Sequence, residues 1–265
     1  VLSLILTLAM LLSCLPATAL PVFAADYEQL QPVTKFHVNP LYANAPPVPP
    51  QTYNAPGEPV SCNTKEEAVA YLRQQMAQRA ASVSFEISVA EDGYALMDYF
   101  FEEALAHTGN PTEGDYLRWQ YAYVSYGASG YSYNGMDHMR YTYNIGYYTT
   151  AEQEAQVDAA ASDLLNQLNP DTSDPYAALK TVYDWMCSNI SYDYDNLNNS
   201  SYTLQYTAYA ALINRTSVCQ GYALLLYRLA LELGVDCRLI AGDSSGEAHG
   251  WNIAQLNDLY YNLDS

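Results

Sequence analysis

Apolar residues follow three regimes along the chain: an almost unbroken run, no period at all, and clear helical or alternating spacing. The unbroken run occupies residues 1–25. From 26 to 62 there is no apolar period, and Pro stands at 32, 40, 46, 47, 49, 50, 56 and 59, which predicts an extended Pro-rich linker. Regular structure is then expected from Asn63. Thr64 followed by Glu67 is a capping-box pattern, with Ala68, Tyr71, Leu72 and Met76 at helical spacing behind it. Val83, Phe85, Ile87 and Val89 alternate as a strand, and a second helix is expected from about Asp92 to His107, with Leu96, Phe100 and Ala104 on one face. A tyrosine-rich stretch follows, running through Tyr121, Tyr123, Tyr126, Tyr131 and Tyr133 around Gly127 and Gly130. In it Tyr141, Tyr143, Ile145 and Tyr147 alternate as a further strand. Half-buried sheet accounts for these tyrosines through their β-propensity; a carbohydrate or peptide platform is the alternative.

The second half is more helical. Thr150 and Gln153 form another capping box, opening a helix through Val157, Ala161, Leu164 and Leu168 that stops before Pro170. A further helix is expected from Pro175 to Ser188, followed by a polar, irregular stretch that turns helical near Thr207. Ser217 is placed to cap a helix in which Ala223, Leu224, Leu226, Tyr227, Leu229, Ala230 and Leu233 cover a broad apolar face, with Gly234 as its stop. Val235 to Ile240 reads as a strand leading into an acidic turn, and HGWNIAQL and LYYNLD read as a two-stranded hairpin across Leu256 to Asp258. The class is therefore α+β, with an accessory region at 63–149 and the chemistry in 150–265.

Charge removes several functions. Asp and Glu outnumber Lys and Arg by 29 to 10, for a formal charge of −19 and no basic block. Such a surface repels nucleic acid and anionic lipid headgroups, so neither is expected as a partner. Residues 1–25 carry no charged side chain and end in small residues, as the hydrophobic region and cleavage site of a secretory signal peptide do; Val22 and Ala24 stand at the minus-three and minus-one positions. A secreted or cell-envelope location follows, with no membrane contact after cleavage. An uncleaved anchor, or lipidation at Cys14, is the alternative.

Four cysteines lie beyond that segment: Cys62, Cys187, Cys219 and Cys237. Burial is the common fate of a cysteine, but Cys219 falls in the first turn of the expected helix, where unpaired N–H groups and the helix dipole favour a thiolate. A bridge to Cys237 is excluded. The intervening helix of about 14 residues is about 21 Å long, whereas bridged Cα atoms lie within about 7 Å. No short pair of cysteines and histidines has the spacing of a structural zinc site. His249 beside Trp251 can be plain packing. It can also be a general base, because Asp264 lies on the same face of the partner strand and can hold one imidazole nitrogen while the other faces the thiol.

Three segments, VCQGYA at 218–223, HGWN at 249–252 and YYNLD at 260–264, together resemble the core of the transglutaminase-like superfamily, and the helix from 175 with its ISYDY ending resembles that core's lead-in. The resemblance covers about 150–265. It implies a papain-like arrangement, a nucleophile helix packed on an antiparallel sheet, with Cys219 as nucleophile, His249 as general base and acid, and Asp264 as the residue orienting it. Gly250 stands where the family often has alanine, and Trp251 and Asn252 are implied to support the histidine strand. The implied activity is acyl transfer through a Cys219 thioester on peptide or carboxamide groups. Amide hydrolysis leads, followed by protein cross-linking and by a non-catalytic cell-envelope scaffold. No cofactor or metal is expected; the calcium use of some relatives has no D-x-D-x-D-G loop here. The family normally continues with further sheet beyond such a strand, so the expected domain runs past Ser265.

Overall fold

The protein is described by a computed structural model over residues 27–39, 58–197, 199, 201–244 and 246–265. The expected signal peptide, Cys14 and residues 40–57 of the expected linker lie outside the described residues.

The amino-terminal elements form a five-stranded sheet in the order β1 (Tyr27–Val38), β4 (Tyr121–Tyr133), β5 (Met136–Tyr147), β3 (Ser82–Val89) and β2 (Val60–Ser61). Two helices, α1 (Lys65–Ala77) and α2 (Leu96–Ala104), pack on it through Leu72, Met76, Phe100 and Phe101. They enclose Phe85, Tyr141 and Tyr143, which come from the alternating runs that predicted strands. Asn134 and Gly135, both at positive φ (52° and 73°), make the tight turn between β4 and β5.

One expectation is corrected here. Residues 27–38, read from their prolines as linker, are strand β1, paired antiparallel with β4. The strand is at the sheet edge, and its register shifts between Leu30 and Val33, around Pro32. A missing N–H is tolerated at an edge bulge, so proline did not exclude a strand.

The remaining elements are α4 (Ala151–Leu168), α5 (Pro175–Asn189), α6 (Cys219–Glu232) and a three-stranded antiparallel sheet ordered β10 (Leu259–Leu263), β9 (Glu247–Leu256), β8 (Cys237–Ser244). A small parallel pair, β6 (Ser191–Tyr192) and β7 (Thr216–Ser217), lies between α5 and α6. Thr150 caps α4 with both bonds of the capping box, whereas the Glu67 carboxylate turns past Thr64 to the backbone and side-chain N–H groups of Asn63. The helix expected near Thr207 is a 3₁₀ turn at Thr203–Tyr206 and a π turn at Ala210–Asn214. The acidic turn after Ile240 is mostly sheet, since β8 and β9 stay paired out to Ser244 and Glu247. The architecture is mixed α+β, with helices packed against sheets.

A short helix, α3 (Asp115–Arg118), joins the two groups. Tyr116 packs with α6 while its neighbour Leu117 packs with the first sheet. Buried Asp115 accepts from Arg238 at 2.7 and 2.9 Å and from the Leu239 N–H at 2.9 Å. Nearby, Arg79 meets Glu154 at 3.0 Å, with the two side chains only 3% and 10% exposed, and the Tyr116 hydroxyl donates to the same carboxylate at 2.8 Å. That ion pair is buried on both sides, so removing one member leaves an uncompensated charge. Glu154→Ala is expected to cost about 3–5 kcal/mol in urea unfolding, whereas Lys180→Ala, which breaks an exposed pair with Asp184, leaves the midpoint in place.

Candidate active site

Helix α6 is buried from Gln220 to Leu231, with Cys219 at its partly exposed start. The expected cap is corrected: Val218 is the N-cap and makes no side-chain bond to the helix. Ser217 belongs to β7, and its hydroxyl donates to the Gln205 carbonyl at 2.6 Å. The preceding strand and turn claim the serine, so no side chain of the capping position covers the N–H groups around Cys219.

Of the four free cysteines among the described residues, Cys62 and Cys237 are buried. Burial raises the Cys62 thiol and pushes that of Cys237 up to about 12, which leaves both as thiols near neutrality. Cys187 is exposed on α5. Cys219 alone among them heads a helix. Among the described residues no group of three His, Cys, Asp or Glu side chains is arranged to hold a metal ion.

His249 and Asp264 are brought together. Strand β10 pairs with β9 up to Leu263 opposite Asn252, so Asp264 lies one step further, diagonal to His249 on the same face. The His249 Nε2 to Asp264 Oδ1 distance is 2.9 Å. The indole of Trp251 stacks beside the imidazole, with centroids 5.9 Å apart and planes at 21°, and its N–H donates to Asn262 at 3.1 Å. Gly242 makes room for that indole: a Cβ there would lie 2.6 Å from the ring. The Tyr183 hydroxyl, from α5, donates to the carbonyl oxygen of Asp264.

The sheet meets helix α6 through the other face of β9. Asn252, fully buried, donates to the Ala223 carbonyl of α6 at 2.9 Å. Gly250 lies against the first turn, where a Cβ would be 3.7 Å from Gln220 Cα. The residue after His249 thus packs on the residue after Cys219. No hydrogen bond joins the Cys219 thiol to His249 among the described residues.

Sequence reasoning singled out Cys219, His249, Asp264, Trp251 and Asn252, and missed Tyr183, Tyr192 and Gln220. Gln220 donates to the carbonyls of Trp119 and Tyr206 at 3.4 and 3.3 Å, fastening the helix start to the end of α3. Tyr192 stands in the ISYDY segment, but only the pairing of β6 with β7 sets it opposite Ser217, two residues before Cys219.

Residues 162–265 match the family described as the Transglutaminase-like superfamily. At the level of fold, that part of the chain is transglutaminase-like. A solved structure titled "Crystal structure of a TGase" aligns with 13% identity and a TM-score of 0.38, covering 78% of this chain and 58% of its own. The chain thus spans a little over half the length of that structure. No curated protein matches. Among the described residues no helix is long and apolar enough to cross a membrane.

Two glycines separate tight packing from room at this site. A Cβ on Gly221 would lie 1.9 Å from Ser217 Oγ and 2.7 Å from the Thr207 carbonyl oxygen, whereas one on Gly250 meets nothing closer than 3.7 Å. Gly221→Ala is expected to lower stability by about 1–3 kcal/mol and to loosen the first turn. Gly250→Ala should melt at or above the wild-type temperature; paired thermal denaturation checks both.

Proposed function

We propose that the protein is a thiol-dependent acyl-transfer enzyme that acts on peptide or carboxamide groups. The observation that carries this reading is the His249–Asp264 hydrogen bond, held on a sheet whose Gly250 packs against the start of the helix headed by Cys219. With Nε2 bound to Asp264, Nδ1 is the imidazole nitrogen left to take the thiol proton. The Cys219 sulfur attacks the acyl carbon, its proton passes to His249, and the imidazolium gives that proton to the departing amine. A thioester remains. Water then attacks it, with His249 again as base, and returns the free thiol and a carboxylic acid. Asp264 orients the ring and steadies its positive charge in both halves.

Hydrolysis is favoured over amine transfer by the openness of the site. The Asp264 side chain is 65% exposed and that of His249 25%, whereas handing an acyl group to an amine requires water to be held out. The expected substrate is a protein or peptide, met outside the cell or in its envelope. The charge-free run at residues 1–25 supports that location, and residues 150–265 are the expected catalytic unit.

The test uses p-nitrophenyl acetate as the acyl probe, with the thioester mapped by mass spectrometry. Acetylation is expected on Cys219, to vanish in Cys219→Ala, and to slow by about a hundredfold or more in His249→Ala and in Asp264→Asn. A chain that never acylates at Cys219 is a binding scaffold on this fold. Capture of the acetyl group by an added fluorescent primary amine in preference to water would replace hydrolysis with cross-linking.

A further inference from the structure

The first sheet buries one face under α1 and α2 and turns the other away from them. Alternation sorts the residues: Phe85, Ile87, Met139 and Tyr141 belong to the core, so Glu86, Ser88, His138 and Arg140, one step along the same strands, share the opposite face. Tyr131 joins them from β4, directly across from His138, and Gln29 from β1, directly across from Tyr131. These six residues line a cavity of about 530 Å³. That volume is in the range of small-ligand sites.

An antiparallel sheet can simply face water on one side, but a solvated face needs neither a hollow nor side chains fixed within it. Here both occur. The Tyr131 and His138 rings stack with centroids 4.7 Å apart and planes at 19°, and Ser88 Oγ lies 2.7 Å from His138 Nδ1. Two residues further along the same pair of strands, Arg140 Nε and Nη2 both meet Glu86 Oε1, at 2.8 and 2.6 Å. That pairing engages neither the second carboxylate oxygen, Oε2, nor the guanidinium Nη1, and the two side chains stay 45% and 52% exposed. The hollow therefore offers an acceptor and a donor from one ion pair, next to an aromatic wall.

Charge narrows the occupant. Glu86 and Arg140 offset each other inside the cavity, and the chain's formal charge of −19 repels anions from its surroundings. A neutral sugar fits every group present: in a vicinal diol one hydroxyl donates to the carboxylate while the other accepts from the guanidinium, and the C–H face of a pyranose packs on aromatic rings. We propose that this cavity is a binding site for a neutral oligosaccharide, with Glu86 and Arg140 reading a vicinal diol and Tyr131 and His138 forming the aromatic wall. Every residue lining it belongs to the amino-terminal elements. The proposal therefore stands or falls independently of the chemistry at Cys219.

Isothermal titration of the full chain with cellohexaose, maltohexaose, mannohexaose and chitohexaose tests it, with hexagalacturonate as the acidic comparison and circular dichroism checking that each variant is folded. At least one neutral hexaose is expected to bind. Its affinity should fall by about tenfold or more in both Glu86→Gln and Arg140→Met, and by about three- to tenfold in Tyr131→Ala. No heat from any neutral hexaose at millimolar concentration overturns the proposal. Binding that survives all three substitutions places the sugar elsewhere and overturns it equally. Hexagalacturonate that binds, and binds more tightly in Glu86→Gln, would make the cavity an anion site and remove the neutral sugar from it.

Discussion

The burial of helix α6 on every side is the constraint from which the rest of the structure follows. Twelve of its fourteen residues are buried, so this is not an amphipathic surface helix, and its neighbours must cover it all round. Helices α4 and α5 contribute Val157, Leu164, Val182 and Met186, the sheet contributes Leu239 and Ala254, and Tyr116 and Trp119 come from α3. A helix enclosed in this way can neither slide nor rotate without disturbing a close-packed core. The position of its first turn is settled by the packing of the turns behind it. Cys219 is thereby partly exposed while the backbone that carries it is held rigidly.

Burial of this extent also makes every polar group on the helix a liability unless it is matched. The Ala223 carbonyl receives Asn252, and Gln220 reaches the carbonyls of Trp119 and Tyr206. Arg228, only 4% exposed at its side chain, meets Asp158 at 2.7 Å and lies over the Tyr116 ring. Several of these partners come from the amino-terminal elements. Together with the Asp115–Arg238 and Arg79–Glu154 pairs, they make the first sheet and α3 part of what holds the site. The strongly acidic composition is consistent with this use of charge: Arg79, Arg228 and Arg238 serve buried or bidentate contacts, and most carboxylates remain on the surface.

Local order was legible wherever a pattern needed only its own neighbours. The alternation of Val83, Phe85, Ile87 and Val89 produced β3, and the Thr150–Gln153 box opened α4 at its predicted residue. Strand β1 was hidden because its proline is harmful only in a central strand, and whether a strand is central depends on the partners it finds. Ser217 carried a capping signal that lost to the Gln205 carbonyl, a competitor twelve residues away in sequence. The Asn134–Gly135 pair, passed over in the tyrosine-rich stretch, is a hairpin signal. It marks the β4–β5 connection without any knowledge of the sheet.

By itself, the sequence determined the residue types of the candidate site, the start of the helix under Cys219 and the shared strand face of His249 and Trp251, because helical and strand periodicity are properties of a few adjacent residues. The pairing of β9 with β10 was also within reach, since a short hairpin leaves little freedom of register. Only the tertiary structure decided that Gly250 packs on Gln220 and that Asn252 ties the sheet to α6. Those contacts join segments about 29 to 30 residues apart through close packing, which depends on the shape of everything around them and leaves no periodic trace in the chain.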